Sequence, residues 1–171
     1  MRPILHRSLA SLVIVVLLLS VTASVAAATV QRVPVSGLET LLFTSYGQQW
    51  ASHDWLHEKY VRSAGTFTFV GDGVSLSGTV SRKDIVKADA DGNGRVQGVI
   101  TYAIASSGVT CQGPSNGTLT NFAISASVLA HCSDGSTLHG SLQERGVVFD
   151  DKGNVIGVTT AFSGTILMPA K

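Results

Sequence analysis

An all-β fold is predicted by three observations: a phrase that recurs, runs of alternating apolar and polar residues, and turns rich in Asp and Gly. Asp72–Gly78 reads DGVSLSG and Asp134–Gly140 reads DGSTLHG. A second echo follows at a similar offset, Arg95–Thr101 (RVQGVIT) and Asn154–Thr160 (NVIGVTT). Two similar four-stranded units, about 64–105 and 118–167, then make one β-domain. Val74, Leu76, Gly78 and Val80 alternate with Ser75, Ser77, Thr79 and Ser81, the period of a strand buried on one face. Val96–Ile104 and Phe122–Ala130 repeat that pattern.

Eight strands are expected, roughly 64–70, 74–82, 84–89, 95–105, 118–131, 136–143, 146–150 and 154–167. The favoured architecture is an eight-stranded antiparallel up-and-down barrel, because closure removes the open edges of a long meander. A two-sheet β-sandwich is the alternative, and pairing of the last strand with 64–70 separates the two. If Asp72-Gly73 forms a two-residue type I′ turn, Phe69 faces Leu76 and Phe67 faces Gly78. A three-residue turn at Ser133-Asp134-Gly135 puts Ala130 opposite Leu138 and His131 opposite Thr137. The second echo fits less well, since aligning Gly98 with Gly157 matches inward Ile100 to Thr159. Either a bulge shifts one strand or the echo is shared turn chemistry alone.

Residues 1–28 read as a signal peptide: Arg2 and Arg7, an apolar Leu12–Val21, and an Ala26-Ala27-Ala28 cleavage site before Thr29. The mature chain is therefore expected to be secreted or periplasmic, without stable membrane insertion. The leader accounts for much of the mean hydropathy of +0.31. Removing Arg2 and Arg7 leaves 10 of 12 basic residues against 11 acidic ones, so the net charge changes from +1 to −1. A near-neutral chain gives no global reason to expect nucleic acid as a partner. Cys111 and Cys132 are the only cysteines, and in an oxidising compartment they are expected to form one disulfide.

Residues 29–63 differ from the barrel at 64–171. Ser36 and Glu39 have the spacing of a capping box, and Leu38, Leu41, Leu42 and Tyr46 recur at helical intervals. A short N-terminal helix is expected from Gly37 to about Tyr46. Trp50–Arg62 carries both tryptophans and suits a lid or plug across a barrel mouth.

Two stretches raise metal chemistry. His53-Asp54-Trp55-Leu56-His57 sets two imidazoles four residues apart with Glu58 following, a spacing that holds Zn²⁺ on a helix. A metal-dependent hydrolase or isomerase using His53–Glu58 is the enzymatic reading. Asp89–Gly94 (DADGNG) matches the first half of a Ca²⁺ loop, but its twelfth position is Ile100 instead of Glu, so a hairpin turn is the stronger reading. Asn116-Gly117-Thr118 is a glycosylation sequon. No nucleophile elbow, phosphate loop or catalytic residue set is found.

The chain is thus read as a small exported barrel without a required cofactor, binding a small apolar or amphipathic ligand. Trp50, Trp55, Phe67, Phe69, Tyr102 and Phe122 are the expected ligand contacts, with room left by Gly78, Gly98, Ala126 and Gly140. A domain with a filled core and a purely structural or interaction role is the alternative.

Overall fold

A computed structural model describes residues 30–169, and the expected leader, residues 1–28, lies outside them. Nine strands and no helix occur among the described residues: β1 (Gln31–Ser45), β2 (Gln48–Ser52), β3 (Trp55–Gly71), β4 (Val74–Asp89), β5 (Gly94–Ile104), β6 (Thr110–Thr120), β7 (Ala123–Cys132), β8 (Thr137–Phe149) and β9 (Val155–Met168). Each of β3 to β9 pairs with the next, and β1 pairs with both β9 and β3. These eight strands close an antiparallel up-and-down barrel. The ninth, β2, extends beyond it.

The stretch Gly37–Tyr46, expected as a helix, is strand as far as Ser45. Ladders on both edges override the helical spacing: β1 runs from Gln31↔Met168 to Leu42↔Gly157 along β9, and from Val35↔Gly71 to Ser45↔Arg62 along β3. Leu38 and Leu42 point outward and remain exposed, while Val33, Val35, Glu39 and Leu41 are buried at period two. Because β1 intervenes, β9 does not pair with 64–70 directly, and closure is achieved through a strand that was expected to be helical. Gly37 is needed at this seam: an added Cβ would lie 1.8 Å from the Thr68 carbonyl oxygen.

Past Tyr46-Gly47 the chain continues as β2, pairing from Gln48↔Lys59 to Ser52↔Trp55. The 50–62 segment is therefore a hairpin arm standing on the barrel wall, instead of a plug folded across it. The arm rises from the far end, which also carries the turns after β4, β6 and β8. The opposite, near end carries the start of β1, the end of β9 and the turns after β3, β5 and β7.

The other strand differences have local causes. The expected strands 74–82 and 84–89 are one strand, β4, because the charged residues at the supposed break face inward and pair there. Strands 136–143 and 146–150 likewise merge into β8, with a register shift between Glu144 and Gly146. The expected strand 118–131 breaks at Asn121-Phe122, and Thr110–Thr120 is a strand in its own right. Asn121 and Phe122 have φ of 49° and 65°, so both central residues are left-handed, as a type I′ turn requires. At Asp72-Gly73 only Gly73 is left-handed, so that turn is not type I′. Its register nevertheless places Phe69 opposite Leu76 and Phe67 opposite Gly78. Ala130 faces Leu138 and His131 faces Thr137 as expected. A shift between Val148 and Phe149 leaves Ile156 unpaired, so a bulge offsets the second echo by one residue.

The new strand β6 also explains the disulfide. Cys111 near its start lies directly opposite Cys132 at the end of β7, with Cα atoms 3.8 Å apart and the sulfurs bonded. Both cysteines are buried in the core. Mutating them together, Cys111→Ser with Cys132→Ser, is expected to lower unfolding free energy by about 3 kcal/mol, measured by urea denaturation of the oxidised wild type against the variant.

Candidate functional site

The interior is filled. Phe67, Phe69 and Tyr102, expected as ligand contacts, pack against one another and are joined by Phe162, with ring centroids 4.4 to 5.6 Å apart. All four are nearly inaccessible to solvent. The inward glycines expected to leave room are occupied by neighbours. A Cβ on Gly140 would strike the Phe162 ring at 2.5 Å, and one on Gly98 would strike the Asp84 carboxylate at 2.1 Å. One on Gly78 would meet the Ala103 carbonyl oxygen at 1.9 Å. At Gly140 and Gly98 the space released is used to seat a neighbouring side chain, and at Gly78 the adjacent strand's backbone fills it.

Beneath the aromatic cluster lies a polar layer that the sequence reading did not anticipate. Glu39 on β1 is 0% exposed, accepts a short hydrogen bond from the Tyr102 hydroxyl, and accepts another from Thr160 Oγ1 at 3.2 Å. Arg82 on β4 donates from Nη2 to Ser115 Oγ at 2.8 Å, and its Nε lies 3.4 Å from Asp84 Oδ2. Arg82 Nε and Asp84 Oδ1 make no hydrogen bond. Burial pushes the Glu39 carboxyl above its ordinary range, opposed by Tyr102, Arg82 and Thr160. Burial raises Asp84 as well, opposed by Arg82. Tyr102 lies well above its usual value, because it is buried beside Glu39. A carboxyl held toward its neutral form beside a phenol has the chemistry of an acid–base pair, but Glu39 offers no atom to solvent. The layer fixes strands to one another from inside.

The accessible chemistry is at the far end. The β2–β3 turn and the β6–β7 turn flank an open groove of about 340 Å³ whose lining includes Ala51, His53, Trp55, Leu56, Ala90 and Phe122. Phe122 was expected to begin an inward face. It occupies the turn instead, 63% exposed, with its ring lying over Gly92, where a Cβ would come within 2.3 Å. Its amide donates to the Gly92 carbonyl oxygen at 2.9 Å, so the β6–β7 turn is docked on the β4–β5 turn. His53 has φ of 55°, and with Asn121 and Phe122 three non-glycine residues in left-handed conformations stand around this groove. Such conformations cost about 1–2 kcal/mol each.

The remaining candidates are dispersed. His53 sits in the β2–β3 turn beside Ser52, and His57 stacks flat on Trp50 with centroids 5.1 Å apart, on a strand instead of a helix. Among the described residues no three His, Cys, Asp or Glu side chains are grouped to hold a metal. The DADGNG segment is a turn: Asp89 Oδ1 accepts from the Asp91 and Asn93 amides at 3.1 and 2.7 Å, and Gly92 is left-handed. Asp150 does the same for the Lys152 and Asn154 amides after β8. Asn116 lies within β6, paired on both sides, where a loop was expected. Comparison with family models, curated proteins and solved structures finds no match to this chain.

Two outcomes follow from the polar layer. Arg82→Ala leaves Asp84 buried without its counter-charge and is expected to cost about 3–5 kcal/mol, read by chemical denaturation at neutral pH. A carboxyl raised in the folded state binds its proton more tightly there than in the unfolded chain. Its contribution is therefore most favourable at low pH and is lost as pH rises from the ordinary value through the folded one. Glu39→Gln is expected to flatten that decline in unfolding free energy above pH 4.5, measured by urea melts across pH.

Proposed function

We propose that this protein is an exported, non-enzymatic barrel that binds a small apolar or amphipathic ligand at its far end, in the groove between the β2–β3 and β6–β7 turns. One observation carries this reading: Trp55, Leu56 and Phe122 are left exposed around a single groove while the interior is packed shut. A soluble barrel with no use for those side chains would bury or replace them. Left-handed backbone at His53 and Phe122, held on opposite sides of the same groove, supports the assignment, because such strain gathers where a side chain must be aimed. Trp55 and Phe122 remain ligand contacts under this reading, whereas Trp50 stacks on His57 outside the groove's lining, and Phe67, Phe69 and Tyr102 support the walls.

Export rests on the signal-peptide pattern and on the disulfide, which is the chemistry of compartments outside the cytosol. Among the described residues no helix is long and apolar enough to cross a membrane.

The groove predicts binding of an environment-sensitive apolar dye, with a blue shift in dye emission and a change in tryptophan fluorescence. Phe122→Gly should remove the dye signal and leave the melting temperature within a few degrees, since glycine accepts the left-handed turn without strain. Phe69→Ala should lower stability by about 3–5 kcal/mol and leave dye binding by the folded state intact. Binding lost with Phe69→Ala but kept with Phe122→Gly would place the ligand inside the barrel.

A further inference from the structure

Adjoining the groove at Trp55, the outer face of β3, β4 and β5 carries the largest concentration of positive charge among the described residues. Lys59, Arg62, Lys83, Lys87 and Arg95 all project from it, and pairings across the ladders set Lys83 beside Arg62 and Lys87 beside Arg95. Among the described residues the single salt bridge is Arg82–Asp84 inside the barrel, so none of these five has an ionic partner. Asp89 is the only acidic residue at an outward position on these strands, and its carboxylate is committed to the β4–β5 turn. The chain as a whole is near neutral, so this is charge separated onto one flank.

The flank is grooved as well as basic. Three shallow clefts succeed one another along it: Trp55 with Lys87 and Arg95, then Tyr60 with Lys83, Gln97 and Asn116, then Arg62 with Thr101 and Gln112. Lys87 Nζ stands 4.6 Å from the Trp55 ring centroid, and Lys83 Nζ stands 4.2 Å from that of Tyr60. From Lys83 to Lys87 the strand rises roughly 13 Å, a span of two to three sugar rings at about 5 Å each.

We infer that this flank binds a linear acidic polysaccharide. The ammonium and guanidinium groups meet carboxylates or sulfates, and the amides of Gln97, Asn116 and Gln112 meet hydroxyls. Single-stranded nucleic acid fits less well, since bases need open ring faces to stack upon, and here lysine ammoniums sit over the rings. A membrane fits less well too, because the stripe lies along the flank and not at an end that could enter a bilayer interface.

Titration calorimetry of the mature chain at low salt tests this with dextran sulfate, polygalacturonate, neutral dextran, an oligothymidylate and phosphatidylglycerol vesicles. Both acidic glycans are expected to bind and neutral dextran to be silent, with affinity falling as salt screens the contacts. Lys83→Gln with Lys87→Gln should weaken glycan binding about tenfold or more, whereas Lys152→Gln on the β8–β9 turn should not. Silence with both acidic glycans overturns the proposal. So does tighter binding of the oligonucleotide or the vesicles, which would assign the flank to that class instead. Equal weakening by Lys152→Gln overturns it by showing attraction to net charge alone. Should the double variant fail to fold, the ranking of the five probes on the wild type decides. No arm of this experiment involves Phe122, so its failure leaves the groove reading standing.

Discussion

Closure of the barrel depends on β1, which is hydrogen-bonded along both edges, to β9 on one side and β3 on the other. Without it, β9 and β3 would be the two open edges of a seven-stranded sheet, each a template for pairing with another chain. The same strand delivers Glu39 to the interior, where Tyr102 on β5 and Thr160 on β9 hydrogen-bond to it. One strand therefore supplies both the seam and a tie between walls. The requirement for Gly37 follows from the closeness of that seam, since the β3 backbone passes where a side chain would begin.

The polar layer is placed where an apolar one would be simpler. Replacing a buried ion pair by well-packed hydrophobic residues is often neutral or stabilising, so Arg82 and Asp84 are poor candidates for maximising stability. Their effect is to fix register. A one-residue slip of β4 would turn both charges outward and bring Lys83 and Ile85 inward, leaving Ser115 and Glu39 without their cation. Aromatic packing holds the near half of the barrel by shape, and the ionic layer below it discriminates among alignments.

Much of the barrel was legible in the sequence because strand periodicity and turn residues agreed with each other. The β3–β4 and β7–β8 registers followed from Asp-Gly turns and from facing apolar residues. Where two periods competed, local pattern misled. Leu38, Leu42 and Tyr46 repeat at helical spacing, but Leu38 and Leu42 are on the exposed face of a strand and Tyr46 follows it, while Val33, Val35, Leu41 and Phe43 hold the period-two signal interrupted by Gly37 and Glu39. Arg82 and Asp84 resembled a turn because inward charges break an apolar face. Their partners lie on other strands, which no local window contains. Phe122 was read as core because it is large and apolar. Its place in a left-handed turn is set by the β6–β7 pairing and by docking on Gly92, both long-range facts. That Asp89–Gly94 is a hairpin turn, by contrast, was visible in its Asp, Asn and Gly residues alone.

Joining the first strand to the last also orders events during folding. Gln31 meets Met168, so the ladder that seals the sheet forms between residues from opposite extremes of the described chain. Hairpins β3–β4 through β7–β8, and the Cys111–Cys132 bond within one of them, can assemble from neighbouring segments as soon as those segments exist. β1 can pair with β3 early, but its second edge must wait for β9, the last of the nine strands to emerge in synthesis. A nascent chain stalled before β9 would present the unpaired edges of β1 and β8 together, which is the species most exposed to intermolecular strand exchange.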